Sequence, residues 1–176
     1  MPTTGPGIRA LCFDLGDTIM IEETEIKDST GTTHHADLIP GMPALLRDVK
    51  AQGTPLALVA DSKAKTPINV LQEHELLDLF DTLAISEVVG VSKPDPAMFV
   101  TALEALGVEK ADYPRCVMVG NNLERDIVGA NRLGLISIFF HWNERRRTHP
   151  MTAEEQPDYT VHSVKALRAT LRTLTR

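Results

Sequence analysis

Cysteine is scarce in this chain, with two among 176 residues. That is too few for the disulfide framework on which small extracellular domains rely. Cys12 and Cys116 each sit inside an apolar run, so two buried free thiols and a reducing cytoplasm are expected. No apolar stretch approaches the roughly 20 residues that a membrane span requires. The polar, Gly/Pro-rich start, Met1–Gly7, lacks the apolar segment of a signal peptide. Positive charge is in deficit: a formal net charge of -6 repels a phosphate backbone and argues against a nucleic-acid partner. Internal repeats and low-complexity tracts are also missing. What is left, 43% hydrophobic and 24% charged residues, is the composition of an ordinary globular domain, expected to span 1–176 as one unit.

Short apolar runs alternate with helical patterns. Ile8–Phe13, Pro55–Ala60, Thr82–Ile85, Cys116–Val119 and Ile136–Phe140 read as buried strands of a parallel sheet. Between them, Pro43–Gln52 has proline in its first turn and Gly53 beyond its end. A second helix is predicted over Pro67–Leu77, broken near its end. Asp95-Pro96 reads as the cap and first-turn proline of a helix that buries Phe99, Leu103 and Leu106 and stops at Gly107. Leu123–Leu133 closes at Gly134, and Val164, Leu167, Leu171 and Leu174 mark an amphipathic helix within 163–176. This alternation predicts an α/β fold, a doubly wound three-layer parallel sheet whose ligands bind outside the carboxyl ends of the strands. Residues 19–40, with the polar stretch Glu22–Asp37, lack an apolar period and read as a flexible flap.

Four segments fall at those carboxyl ends. Asp14-Leu15-Gly16-Asp17-Thr18 follows the first run, and Ala60-Asp61-Ser62 ends the second. Lys93-Pro94-Asp95-Pro96 precedes a helix, and Gly120-Asn121-Asn122, with Asp126 beyond it, follows the Cys116–Val119 run. A carboxylate on a tight turn after a buried strand is suited to covalent attack. A lysine in reach of it neutralises both that carboxylate and a transferring group. In order and spacing these segments resemble the four signature segments of the haloacid dehalogenase (HAD) superfamily, over about Ile8 to Phe140 (8–140).

The resemblance implies Asp14 as nucleophile, Lys93 as electrostatic clamp and substrate ligand, and Mg2+ held by Asp14, the Gly16 carbonyl, Asn121 and Asp126. It further implies a small phosphorylated substrate. Short insertions imply no separate cap domain and an open site that admits bulky substrates or is covered by a second subunit in a homo-oligomer.

Four positions depart from the family's phosphatase pattern. Gly16 stands where a second aspartate protonates the leaving oxygen. Asp17 next to it is a candidate replacement, although a capping role is the blander reading. On this view Gly16→Asp is expected to raise phosphatase activity. Ala60 replaces a phosphate-binding hydroxyl, leaving Ser62 and Asp61 as candidate substrate ligands. An ionised Asp61 beside a phosphate is unfavourable unless it is protonated or paired with a metal or a lysine. Asn121 offers an oxygen but no charge to a metal. These departures keep two alternatives in view: a catalytically weakened binding protein and a metal-independent dehalogenase. Beyond the signatures, Arg145-Arg146-Arg147 after Trp142 is suited to a second anionic group but reads first as a solvated loop. His34-His35 read as solvated flap residues.

Overall fold

The apolar runs become strands buried on both faces, as a sheet covered by helices on two sides demands. The computed structural model describes residues 7–175; positions 1–6 and 176 lie outside the described residues. In chain order the strands are β1 (Ala10–Phe13), β2 (Ile26–Lys27), β3 (Thr33–His35), β4 (Leu56–Ala60), β5 (Thr82–Ile85), β6 (Cys116–Gly120), β7 (Ile136–Phe140) and β8 (Tyr159–Val161). The helices are α1 (Met42–Ala51), α2 (Lys65–Glu73), α3 (Ser86–Val89), α4 (Pro96–Ala105), α5 (Val128–Leu133) and α6 (Val164–Leu174).

Six strands form one parallel sheet in the order β5-β4-β1-β6-β7-β8. Successive side chains of a strand point to opposite faces, and this alternation divides the core. Leu11, Phe13, Leu56, Leu58, Val117 and Val119 pack with residues of α1, α2 and α6 on one face. Ala10, Cys12, Ala57, Val59 and Met118 pack with Phe99, Ala102 and Leu103 of α4 and Ala130 of α5 on the other. The three layers are those expected. From β1 the chain steps outward through β4 to β5, returns to β6 beside β1, and steps the other way. The reversal opens a crevice at the carboxyl ends of β1 and β6.

Several elements differ from expectation. The 19–40 segment is not a bare loop: β2 and β3 pair antiparallel as a small hairpin. Thr33 N donates to Thr66 Oγ1 (3.0 Å) and Asn69 Nδ2 donates to Thr33 O (2.9 Å), which pins the hairpin to α2. The second helix starts two residues before Pro67 and stops at Glu73, where Glu75 turns to φ 56°. Leu123–Ile127 forms a wide π-type turn before α5. β8 was not anticipated; two of its three residues are exposed. Asp95 does cap α4, accepting from Ala97 N at 2.9 Å. No helix among the described residues is long and apolar enough to cross a membrane.

Candidate active site

Asp14 leaves β1 while still bound to the sheet, its N–H donating to Val119 O (3.0 Å). The chain then folds over Leu15, whose carbonyl accepts from the N–H groups of Thr18, Ile19 and Met20 at 3.2, 2.8 and 3.1 Å. Asp17 sits inside that turn at φ 50°, a region that aspartate tolerates better than most residues. It is wholly buried. Its Oδ1 accepts from Glu22 N (3.0 Å), its carbonyl accepts from Trp142 Nε1 (2.7 Å), and Arg145 Nε lies 3.5 Å from Oδ2. Asp17 is therefore turned away from the crevice and does not line the cavity there.

Lys93 reaches the crevice from the loop before α4. Its Nζ donates to Asp14 Oδ1 (2.7 Å), Asp126 Oδ1 (2.7 Å) and Val59 O (2.8 Å), which engages all three ammonium protons. Burial works against the charge, but Asp126, Asp14 and Asp61 outweigh it and raise the Lys93 pKa. Asp61 holds the loop in place: Oδ1 accepts from Lys93 N (2.9 Å) and Oδ2 from Arg125 Nη1 (3.3 Å). The cation beside Asp61 is Arg125, where the sequence suggests a metal or a lysine.

Asp126 is fully buried, and its Oδ2 accepts from Asn122 N at 3.0 Å. Its approach to the strand end depends on Gly120, because a Cβ there would lie 2.5 Å from Asp126 Cβ. Burial first, and then the charge of Asp14, push the Asp126 carboxyl up to about 7 against the pull of Lys93. One ammonium between two carboxylates leaves a negative charge uncompensated. Asn121 beside them is buried, and among the described residues neither its amide oxygen nor its nitrogen is hydrogen-bonded.

These groups share a cavity of about 230 Å³ lined by Asp14, Gly16, Asp61, Ser62, Lys93, Asn121 and Asp126. The structure thus brings together every predicted site residue except Asp17. Ser62 lies on the wall, its Oγ donating to Lys63 O (3.2 Å) and its N–H to Ser86 Oγ (3.0 Å). Among the described residues no three His, Cys, Asp or Glu side chains group as a metal cluster. The donors here are two carboxylates, an unpaired amide and, at Gly16, a backbone carbonyl. Hard oxygen donors with an excess negative charge fit a hard divalent cation such as Mg2+.

Sequence reasoning missed Glu22, Lys27, Thr33 and Arg125, which also line the cavity. The hairpin thereby forms one wall, so the site is less open than the short insertions suggested. The arginine run divides. Arg146 lines the cavity and donates to Glu22 Oε1 (2.6 Å), whereas Arg147 turns outward to Glu124 (2.9 Å) and Glu155 (2.6 Å). His34 and His35 pair with Asp28 (2.7 Å) and Glu73 (2.5 Å) and do not line the cavity. The only advance signal for Glu22 was a glycine at the acid's place with carboxylates shortly after it.

Comparison with known proteins agrees with this geometry. A glyceraldehyde 3-phosphate phosphatase of Methanopyrus kandleri is 28% identical over 81% of this chain and 58% of its own length. A pyrimidine 5'-nucleotidase of Escherichia coli is 31% identical over 76% of this chain and 56% of its own. The chain spans about half the length of the curated relatives it matches. Among solved structures, a HAD phosphatase from Thermococcus onnurineus shares the fold with a TM-score of 0.77 at 21% identity, over 96% of this chain and 100% of that one. The family model of haloacid dehalogenase-like hydrolases matches residues 9–134. The chain belongs to the haloacid dehalogenase-like hydrolase family.

Proposed function

We propose that this chain is a phosphoric monoester hydrolase that acts on a small phosphorylated substrate through Asp14. The observation that carries the reading is the Lys93 ammonium held 2.7 Å from both Asp14 and Asp126 on the wall of one cavity. Among the described residues Lys93 is the one donor on the Asp14 carboxylate, at Oδ1. Oδ2 keeps its lone pairs for attack on phosphorus, giving an aspartyl phosphate that water then hydrolyses. Lys93 lowers the repulsion between that anion and an incoming phosphate. Ser62 offers a hydroxyl to the phosphoryl oxygens, and Asp61 positions the Lys93 loop instead of meeting substrate. Asp14, Asp126, Asn121 and the Gly16 carbonyl would hold Mg2+, which when bound offsets the charge of the phosphoryl oxygens. Several relatives are named as phosphatases of small metabolites, which supports the substrate class. Buried free thiols at Cys12 and Cys116 support a reducing cytoplasmic setting.

The test is hydrolysis of an aryl phosphate with Mg2+ by the wild type and by Asp14→Asn. The variant should lose turnover by about 10³-fold or more while remaining folded. Turnover retained in the variant would remove Asp14 from the reaction. Silence of the wild type across a panel of phosphate esters, with ligand binding intact, would favour a binding protein instead.

A further inference from the structure

Gly16 has no side chain, yet the space a side chain would take is filled. A Cβ on Gly16 would lie 2.9 Å from Cγ and 3.0 Å from Cδ of Glu22, with Oε1 closer still. Glu22 lines the same cavity as Asp14, Lys93 and Asn121. It is brought back over the nucleophile turn by Asp17, whose Oδ1 accepts from Glu22 N (3.0 Å). Arg146 donates to Glu22 Oε1 (2.6 Å), and Arg145 Nη2 lies 3.5 Å from Oε2. A carboxylate six residues further along the chain therefore occupies the place of the missing acid. Asp17, the other carboxylate of the turn, faces elsewhere.

We propose that Glu22 is the general acid–base of this site, replacing the side chain that Gly16 lacks. The assignment rests on the reading of Asp14 as phosphoryl acceptor. Asp14 attacks phosphorus, the bond from phosphorus to the alcohol oxygen breaks, and that oxygen takes the electron pair and a proton from the Glu22 carboxyl. Water then attacks the aspartyl phosphate and gives its proton to the Glu22 carboxylate. The bond between phosphorus and the Asp14 oxygen breaks, and inorganic phosphate leaves with both residues restored. Arg146 lines the cavity too, so an arriving phosphate competes with Glu22 for its guanidinium. Gly16→Asp alone sets its new side chain against the end of the Glu22 side chain, which has to give way for the expected gain in activity.

Two esters isolate the role. A 4-nitrophenyl ester loses its leaving group without a proton, whereas glycerol phosphate must release an alkoxide. In single-turnover rapid-quench experiments with Mg2+, Glu22→Gln should slow glycerol release by about 10²–10⁴-fold and nitrophenolate release far less. The paired change Glu22→Ala with Gly16→Asp should return glycerol phosphate turnover to within about tenfold of wild type. Equal slowing of both esters, or of neither, in a variant with the wild-type melting temperature overturns the assignment of Glu22. No Asp14-dependent turnover of either ester by the wild type overturns the phosphatase reading itself.

Discussion

Asp17 holds a carboxyl group with no solvent exposure and a backbone at φ 50°, two unfavourable conditions at one residue. Both are explained by what it fixes. Its Oδ1 caps Glu22 N, and its own N–H donates to Met20 O (2.7 Å), so the turn that presents Asp14 and returns Glu22 is closed through this residue. Asparagine keeps the acceptor and tolerates the left-handed conformation. Asp17→Asn should therefore lower kcat on an alkyl phosphate by less than about tenfold, against the 10²–10⁴-fold expected of a lost proton donor. Asp17→Ala leaves Glu22 N without its partner and should destabilise the fold by about 1–3 kcal/mol, read by urea denaturation. A 10²-fold or greater fall in kcat for a stably folded Asp17→Asn would return the acid role to Asp17.

The hairpin of β2 and β3 holds one wall of the cavity, and its attachment to α2 is titratable. His35 Nδ1 donates to Glu73 Oε1 (2.5 Å), Asp37 Oδ1 lies 3.6 Å from His35 Nε2, and His74 Nε2 donates to Ala36 O (2.8 Å). The hydrogen bond to Glu73 is the main cause that raises the His35 pKa above its usual 6.5, and the same bond lowers Glu73 below 4.5. The histidine contribution is complete below 6.5 and fades as pH rises through the raised value. The glutamate contribution holds above 4.5 and fades as pH falls through the lowered one. The latch is therefore strongest between these limits. Amide exchange at 26–35, corrected for intrinsic rates, should show less protection at alkaline pH than near pH 5.5, and Glu73→Gln should abolish the difference. Equal protection at both pH values would mean that the latch does not hold the hairpin. Neither the hairpin nor Glu22 was legible in the sequence, for a shared reason. Ile26–Lys27 and Thr33–His35 are too short to show alternation, and their turn is set by Asp28 Oδ1 accepting from Thr30 N (2.8 Å) and Thr32 N (3.2 Å). The position of Glu22 depends on that local geometry and on the Asp17 turn. By contrast β1, β4 and β6 were legible because strands buried on both faces must be continuous apolar runs.

At the scale of the molecule, the reversal of strand order between β1 and β6 brings together groups as far apart in sequence as Asp14 and Asp126. Their charges are balanced only in part. Asp61 is matched by Arg125 and Glu22 by Arg146, which leaves Lys93 to serve two carboxylates alone. The remaining negative charge lies on the wall of the cavity, beside an Asn121 amide that has no hydrogen-bond partner among the described residues. A divalent cation bound there stabilises the folded state alone, because the unfolded chain scatters these ligands. At a hundred times its dissociation constant such a ligand adds about 2.7 kcal/mol. For a chain of this length that corresponds to a rise in Tm of roughly 5–10 °C. MgCl2 should therefore shift the melting curve upward well beyond NaCl of equal ionic strength. Asp126→Ala should lose the shift, since it removes one of the two carboxylates. A shift that NaCl reproduces, or that persists in Asp126→Ala, would show that the excess charge at the carboxyl ends of β1 and β6 is not what binds the ion.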